Sequence, residues 1–221
     1  MRTTLAIVAL LSMGAVASAA VSTLYTPPAG DATYSWNTKY GPSGYGVGDQ
    51  TMDVNLYFGA PYGNDYRVSI FEIPISTLAG LTPTAATLKV NSLGFGTNYY
   101  YGSANIGWLD VGSLALTGDV VADDLGPAST SVPGGYTIYD TYTVAGTAGV
   151  VSFDVLSCVQ ADLAAGRGYC TFVMSGSRDT WGSIYTAESG LGPRIEVVVP
   201  EPATLAMLAL GGLALMRGRR R

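Results

Sequence analysis

The side chains that could do chemistry in this sequence are carboxylates, hydroxyls and two thiols, because its 221 residues include no histidine. A Ser-His-Asp triad, a Cys-His pair, a histidine-rich zinc site and a histidine proton switch are therefore excluded. The chain also has no phosphate-binding P-loop and no Gly-x-Ser-x-Gly nucleophile elbow. Two carboxylates about 5 to 9.5 Å apart could cleave a glycosidic bond, but no spacing among the acidic residues identifies such a pair. We therefore predict a protein that is not an enzyme. The alternative is a carboxylate-based enzyme that degrades a polysaccharide.

Cys158 and Cys170 are the only two cysteines of the chain. If the chain is exported to an oxidising compartment, two cysteines so close in sequence predict a disulfide. Closing a loop of this size contributes roughly 3 kcal/mol when the effect is treated as chain entropy. The alternative is a pair of thiols that carries redox chemistry or binds a metal.

Acidic loop residues are candidate ligands for calcium, a hard cation that takes oxygen ligands. Asp119, Asp123 and Asp124 lie close together in the chain. The sequence has no Asp-x-Asp-x-Asp-Gly pattern, so hydrated carboxylates on a short Asp-rich turn are the alternative. No other metal and no organic cofactor is predicted.

Tyrosine and tryptophan cluster in three stretches that are predicted to be loops. Aromatic faces with a polar edge suit the C–H faces of sugar rings, and loops often carry function. The candidate glycan contacts are Tyr99, Tyr100, Tyr101, Trp36 and Trp181. If the three consecutive tyrosines lie in a strand, they alternate between its two faces and at least one points outward. The alternative is that these aromatic residues belong to the core and edges of the fold.

The elements that must position these residues are mostly β-strands. Period-2 alternation is clear in residues 51–58, and further strands are predicted around residues 68–75, 88–90, 106–108, 111–121, 136–144, 150–155, 169–175, 184–186 and 195–199. Within residues 68–75 the alternation changes face, which predicts a bulge. Eight or more short strands separated by Gly- and Pro-rich turns are typical of a β-sandwich or jelly roll. We predict an all-β fold, with a single sandwich domain over residues 20–199.

One short helix is predicted after Asp154, which can act as its N-cap. Val155, Val159 and Leu163 would share one face of this helix, and Gly166 fits the position just after its end. No repeat, linker or low-complexity segment divides residues 20–199.

The body contains a series of short segments in a characteristic order, namely Asp31-Ala32-Thr33-Tyr34, Tyr45-Gly46, Arg67 with Phe71, residues 85–90, Phe153-Asp154-Val155, Gly166, Thr171-Phe172-Val173, Ala187-Glu188, Pro193 and Ile195-Glu196-Val197. In this order the segments resemble DNRLRE-type domains, secreted β-sandwiches related in architecture to carbohydrate-binding modules. The central residues 95–142 depart from the family pattern. The resemblance implies a jelly-roll sandwich that contacts polysaccharide, and it provides no catalytic residues.

The charge of the body excludes one class of partner. Residues 20–199 contain six basic and fifteen acidic residues, a net charge of −9. Binding to nucleic acid requires Lys and Arg to neutralise phosphates, so the body is not predicted to bind nucleic acid. Anionic membrane surfaces attract basic segments, so the negative charge also disfavours binding to such surfaces.

The N-terminal residues 1–19 have the pattern of a secretory signal peptide. Arg2 provides the positive region, residues 5–16 are largely apolar, and Ala17-Ser18-Ala19 is an A-x-A cleavage site. An N-terminal membrane anchor is the alternative, but the apolar run is shorter than the ~20 residues that span a bilayer.

The C-terminal residues 200–221 combine three parts. Pro200, Glu201 and Pro202 precede an uncharged stretch of residues 203–216, and Arg217, Arg219, Arg220 and Arg221 end the chain. At ~1.5 Å per residue, a helix over residues 203–216 would cover ~21 Å of a hydrocarbon core that is ~30 Å thick. Such a helix inserts only marginally, with its arginines on the cytoplasmic side.

This tail resembles the PEP-CTERM sorting signal of Gram-negative bacteria, with Val199-Pro200-Glu201-Pro202 as its motif. The resemblance implies an exosortase-type sorting enzyme as partner, transient membrane insertion, cleavage near the motif, and delivery to the cell surface or the extracellular matrix. A hydrophobic tail that is removed after sorting parallels a GPI signal. An ordinary C-terminal anchor is the alternative.

Together these features predict an exported, non-catalytic surface or matrix protein that associates with exopolysaccharide or the cell envelope. The alternative functions are a self-assembling structural matrix protein and the polysaccharide-degrading enzyme considered above.

Overall fold

The structure, a computed structural model, describes residues 19–37, 41–46, 51–59, 63–97, 104–123, 125, 137–144, 147–176 and 180–200. This part of the chain forms twelve strands and one α-helix: β1 (Ala19–Tyr25), β2 (Asp31–Asn37), β3 (Gly41–Gly46), β4 (Thr51–Gly59), β5 (Gly63–Pro74), β6 (Ala85–Thr97), β7 (Ala104–Asp110), β8 (Thr137–Val144), β9 (Gly149–Asp154), α1 (Leu156–Ala164), β10 (Tyr169–Gly176), β11 (Thr180–Tyr185) and β12 (Arg194–Pro200). The predicted all-β class is therefore confirmed. Residues 1–18 of the predicted signal peptide and the predicted helix over residues 203–216 lie outside the described residues, whereas Ala19, the last residue of the predicted signal peptide, begins β1.

The strands form two antiparallel sheets that are joined along one side. The first sheet has the order β3-β2-β5-β10-β7-β8. The second sheet has the order β9-β6-β12-β1. Strand β11 pairs with both β6 and β4, and β4 pairs with β5, so β4 and β11 connect the two sheets.

The main hydrophobic core lies between the two sheets, as alternation along the strands requires. Phe71 of β5 lies opposite Phe172 of β10, and their rings stack with centroids 5.5 Å apart. Other fully buried members of this core are Ile73, Leu88, Val90, Ile106, Met174, Ile184, Ile195 and Val197. At about 25 cal/mol per Å² of apolar surface removed from water, this core is the main stabilising element of the fold.

A second core covers the outer face of the first sheet. Val68 and Ile70 of β5 pack there with Val173 of β10, Ala32 and Tyr34 of β2, and Leu109, Val111, Val120 and Leu125 from the end of β7 and the segment after it. Both faces of β5 are therefore buried. The predicted bulge in residues 68–75 is wrong, because β5 pairs with β2 and β10 without a shift in register. The change of face in the sequence pattern reflects burial on both sides.

The prediction of strands in residues 111–121 is also wrong. These residues form turns and irregular backbone that cross the outer face of the first sheet. Their apolar residues are spaced for contact with that sheet and not for pairing in a ladder.

The predicted helix is confirmed, with a change at its start. Val155 precedes the first helical residue, and the Asp154 carboxylate accepts a hydrogen bond from the Leu156 N–H at 3.0 Å. Val155 and Val159 are buried, Leu163 packs against the main core, and Gly166 has a left-handed φ of +72° just after the helix end.

Candidate functional site

One row of opposed residues crosses five strands near one end of the sandwich. It consists of Gly96 on β6, Trp181 on β11, Asn55 on β4, Arg67 on β5 and Ser35 on β2, each opposite the next. Trp36 follows Ser35 directly, so both tryptophans among the predicted glycan contacts belong to this region. Strands β11 and β2 are three strand spacings apart, or about 14 Å.

The segment that contains Tyr99, Tyr100 and Tyr101 is anchored at the same end. It starts after Thr97, which lies opposite Thr180, and it ends at Ala104, which lies opposite Gly176. The three tyrosines themselves lie outside the described residues. We call the end of the sandwich marked by Trp36, Trp181 and this segment the aromatic end.

Two of the predicted loop positions are corrected by the structure. Trp36 lies in β2 and Trp181 lies in β11, not in loops. Neighbouring Tyr34 also lies in β2, is 2% exposed, and donates a hydrogen bond from its hydroxyl to the Val120 carbonyl at 3.1 Å. Tyr34 is thus a core residue, as the alternative interpretation of the aromatic clusters held.

The two ends of the folded body meet away from the aromatic end. Ala19 of β1 lies opposite Pro200 of β12. The neighbouring Val198 lies opposite Ala85, at the start of β6. Strand β6 then runs from Ala85 to Thr97, which at ~3.3 Å per residue is about 40 Å. The chain therefore enters and leaves the body at the far end of β6 from the aromatic residues.

The acidic loop residues lie over a buried carboxyl group that sequence reasoning missed. Glu72 of β5 is 0% exposed, and its side chain faces the carboxyl group of Asp123 and the amide of Gly118. Burial, followed by the nearby charge of Asp123, raises the pKa of Glu72 to about 8. An acidic residue inside the apolar run of residues 68–75 was the available sequence signal. Of the predicted calcium ligands, Asp119 and Asp123 lie on this loop and Asp124 lies outside the described residues.

The loop over Glu72 is held by hydrogen bonds from several elements. The Asp123 carboxylate accepts hydrogen bonds from the N–H and the hydroxyl of Thr117, at 2.9 and 2.7 Å. The Thr117 carbonyl in turn accepts a hydrogen bond from the Tyr169 hydroxyl at 3.0 Å. Gly118 has a φ of +83°, and a Cβ there would lie 2.6 Å from the Tyr169 hydroxyl oxygen. Only glycine fits this close approach.

A second buried carboxyl group lies where β2 begins. Asp31 is 1% exposed, and its Oδ2 accepts a hydrogen bond from the Ala187 N–H at 2.8 Å. Burial raises the pKa of Asp31 to about 7; the Ala187 hydrogen bond opposes this increase, and the negative charge of Glu188 adds to it. This contact fastens the start of β2 to the turn before β12.

A third buried carboxyl group links α1 to the first sheet. Asp162 accepts hydrogen bonds from Trp108 Nε1 at 2.8 Å and from Arg167 Nη1 at 2.7 Å. Arg167 also pairs with Asp110 at 2.5 Å and donates to the Gly112 carbonyl at 2.9 Å. Burial raises the pKa of Asp162, and hydrogen bonds from the side chains of Cys170, Arg167 and Trp108 partly offset this increase. The polar groups of this cluster are satisfied by one another, which is the pattern of a structural network.

The cysteines lie in the main core beside this network. Cys158 of α1 and Cys170 of β10 are both 0% exposed, and in the structure they are thiols and not a disulfide. The Cys158 thiol lies close enough to Cys170 to raise the pKa of the Cys170 thiol. Burial, with the nearby Asp162 carboxylate, raises the pKa of the Cys170 thiol well above its ordinary value.

The described residues contain no group of three or more Asp, Glu, Cys or His side chains arranged around one metal position. No helix in the described part of the chain is long and apolar enough to cross a membrane.

Comparison with known proteins identifies the C-terminal segment. Residues 198–221 match the family of the PEP-CTERM protein-sorting motif. The match starts in β12 and includes all the residues predicted for sorting, Val199 to Pro202 and the arginines 217 and 219–221. No curated protein matches the chain, and the resemblance of the body to DNRLRE-type domains is not confirmed. The chain therefore carries a PEP-CTERM sorting motif, which is the mark of an exported protein sorted by an exosortase to the cell surface.

Proposed function

We propose that the body is a non-catalytic module that attaches the exported protein to extracellular polysaccharide or to the cell envelope through its aromatic end. The observation that carries this proposal is the common position of Trp36, Trp181 and the strand ends that flank Tyr99 to Tyr101. The strands that carry Trp36 and Trp181 are about 14 Å apart, a spacing that matches several successive sugar rings, and aromatic residues suit contact with such rings. The resemblance to DNRLRE-type sandwiches supports the same ligand class.

The position of the sorting segment gives the aromatic end an orientation. Pro200 ends β12 beside the start of β6, and the aromatic residues lie beyond the other end of β6. While the tail is in a membrane, the aromatic end therefore points away from the lipid. This orientation would expose a glycan site to the extracellular matrix before and after cleavage of the tail.

The charge of the body narrows the class of glycan. Residues 20–199 have a net charge of −9, and charge of one sign repels polymers of the same sign at low ionic strength. A neutral or cationic polysaccharide is therefore favoured over a strongly anionic one.

Depletion from solution tests the proposal. The purified exported protein is mixed with a panel of insoluble polysaccharides that includes the matrix of the producing cells, and the protein left in solution is measured. We expect selective depletion by one glycan and loss of that depletion in a Tyr99/Tyr100/Tyr101→Ala variant. The matched control is Tyr25→Ala, because Tyr25 is 60% exposed and ends β1 outside the aromatic end.

The alternatives give different results in the same experiment. If no polysaccharide depletes the protein, the binding proposal is wrong. Concentration-dependent sedimentation without any glycan would then identify a self-assembling matrix protein. Release of new reducing ends from a bound glycan would identify an enzyme and overturn the non-catalytic part of the proposal.

A further inference from the structure

We propose that Glu72 and Asp123 bind a divalent cation of the calcium type beneath the loop of residues 111–123, on the outer face of the first sheet. The site is separate from the aromatic end and does not depend on the proposed function.

The first step of the argument is a buried carboxyl group with no donor. Both carboxyl oxygens of Glu72 are inaccessible to solvent, and among the described residues neither has a hydrogen-bond partner of good geometry. The nearby Gly118 amide lowers the pKa of Glu72 only slightly against the effect of burial. Transferring a carboxylate out of water without a partner costs several kcal/mol. A native fold keeps such a group only when a proton or a cation occupies the site.

A second buried oxygen lies beside the first. Thr171 of β10 lies opposite Glu72 in the antiparallel pair, and opposed residues point to the same face of a sheet. The Thr171 Oγ1 is also inaccessible to solvent and has no hydrogen-bond partner among the described residues. A hydroxyl can rotate to reach almost any neighbouring hydrogen-bonding group. The lack of a partner for the Thr171 hydroxyl, directly beside the Glu72 carboxyl group that also lacks one, therefore indicates that a partner of both groups is missing.

The charged side chains that the structure describes near Glu72 are negative. The carboxyl group of Asp123 is within hydrogen-bond distance, and Asp119 adds a further negative charge. No positive side chain from the described residues contributes to the electrostatics of Glu72. A cation in contact with Glu72 and Asp123 would compensate two carboxylates at once.

The loop is held firmly enough to keep this arrangement. The Val120 carbonyl accepts from the Tyr34 hydroxyl, and the Val120 N–H donates to the Ala29 carbonyl at 3.1 Å. The Tyr169 hydroxyl and the close approach at Gly118 fix the other side of the loop. The loop that carries Asp123 is thus held over β5 by contacts in which the carboxyl group of Glu72 takes no part.

Calcium fits this set of donors best. It takes six to eight oxygen ligands in flexible geometry, from carboxylates, hydroxyls, backbone carbonyls and water. Glu72 and Asp123 supply carboxylates and Thr171 a hydroxyl, so loop carbonyls and water must complete the shell. Magnesium requires a stricter octahedral arrangement, and soft metals prefer the thiolate and imidazole ligands that are absent from this face.

Metal analysis and calcium titration test the proposal on the purified exported protein. Elemental analysis of protein prepared without chelator should find about one calcium per chain. After treatment with EDTA, added Ca²⁺ should raise the melting temperature by several degrees, because a ligand that binds the native state stabilises it. Terbium should show luminescence sensitised by the nearby Tyr34 and Tyr169.

The matched variants are Glu72→Gln at the site and Glu196→Gln on the surface of β12. Glu72→Gln should weaken calcium binding at least tenfold, whereas Glu196→Gln should bind like the natural protein. If Glu72→Gln does not fold, Thr171→Val should weaken binding several-fold. The proposal is overturned if the natural protein contains no calcium and its melting temperature does not respond to Ca²⁺. That result would show that a proton shared by Glu72 and Asp123 occupies the site.

Discussion

Ala20, the first residue after the predicted signal-peptide cleavage site, lies directly opposite Val199 in the antiparallel pair of β1 and β12. Val199 is 8% exposed and belongs to the main core. Because β12 ends at Pro200, the folded body continues into the sorting motif without a spacer. An exosortase would therefore act on a motif whose first residues belong to β12, at the end of the body where Ala20 also lies.

Docking of β1 onto β12 should depend on Leu24 and not on Val21. Leu24 packs against the main core, whereas Val21 is 66% exposed. Threonine keeps the preference for β structure, so Leu24→Thr should lower the free energy of unfolding by about 1 to 2 kcal/mol through lost burial. Val21→Thr should change it by less than about 0.5 kcal/mol. Urea denaturation measures both, and equal effects would show that β1 is not docked as described.

The ion pairs of Arg167 and Lys89 should contribute very differently to stability. The Asp162 side chain in the Arg167 pair is 2% exposed, whereas Lys89 and Glu196 are 27% and 33% exposed in theirs. Arg167→Gln leaves a buried carboxylate without its cation, which costs about 3 kcal/mol or more. Lys89→Gln removes a surface pair that contributes at most about 1 kcal/mol.

Chemical denaturation of both variants tests this difference. A loss for Lys89→Gln as large as for Arg167→Gln would contradict the assignment of the Asp162 network as the buried connection between α1 and the first sheet.

The sequence pattern predicted the elements whose two faces differ in environment. Strand β12 alternates between half-buried and buried residues along its whole length, so its period of two is visible in the sequence. Helix α1 has one buried face and a glycine just after its end, and both features are visible in the sequence and predict the helix. The pattern failed in β5, because Ile70 and Phe71 are both buried on opposite faces.

The candidate sites were predictable only where neighbours in space are also neighbours in sequence. The sorting motif is continuous, and it was found. Glu72 and Asp123 are 51 positions apart, and only the folding of the loop after β7 over β5 brings them together. Asp31 meets Ala187 across most of the chain. No local spacing rule connects such residues.

The pKa of Asp31 predicts a specific dependence of stability on pH. Its pKa is about 7 in the folded protein, against an ordinary value of 3.8. Between these values the folded state binds more protons than the unfolded state, so this group lowers stability as pH rises from about 4 to about 7. At about 1.4 kcal/mol per pKa unit, the loss is on the order of 4 kcal/mol.

Asp31→Asn removes this titration and keeps an oxygen that can accept from the Ala187 N–H. The free energy of unfolding of the variant should therefore decline less than that of the natural protein between pH 4 and 7. Urea denaturation across this range, with EDTA present to remove any cation at Glu72, gives the comparison. Identical pH slopes for the two proteins would contradict the raised pKa.

The cysteines lead to a prediction about the exported form of the protein. Cys158 and Cys170 share the main core, and the raised pKa of Cys170 keeps its thiol protonated. Since the thiolate is the reactive species, this environment disfavours a role in redox catalysis or metal binding. It also means that oxidation must occur before the helix packs, while the chain is folding in an oxidising compartment.

We therefore expect a Cys158–Cys170 disulfide in protein recovered from the exported fraction, and two thiols in protein made in a reducing cytoplasm. Alkylation in denaturant, followed by mass spectrometry, distinguishes the two forms. Reduction should lower the free energy of unfolding of the exported protein by roughly 3 kcal/mol, and it should have no effect on a Cys158→Ser/Cys170→Ser variant. Two alkylated thiols in unreduced exported protein would show that the pair stays reduced and that the core is stabilised by packing of these residues alone.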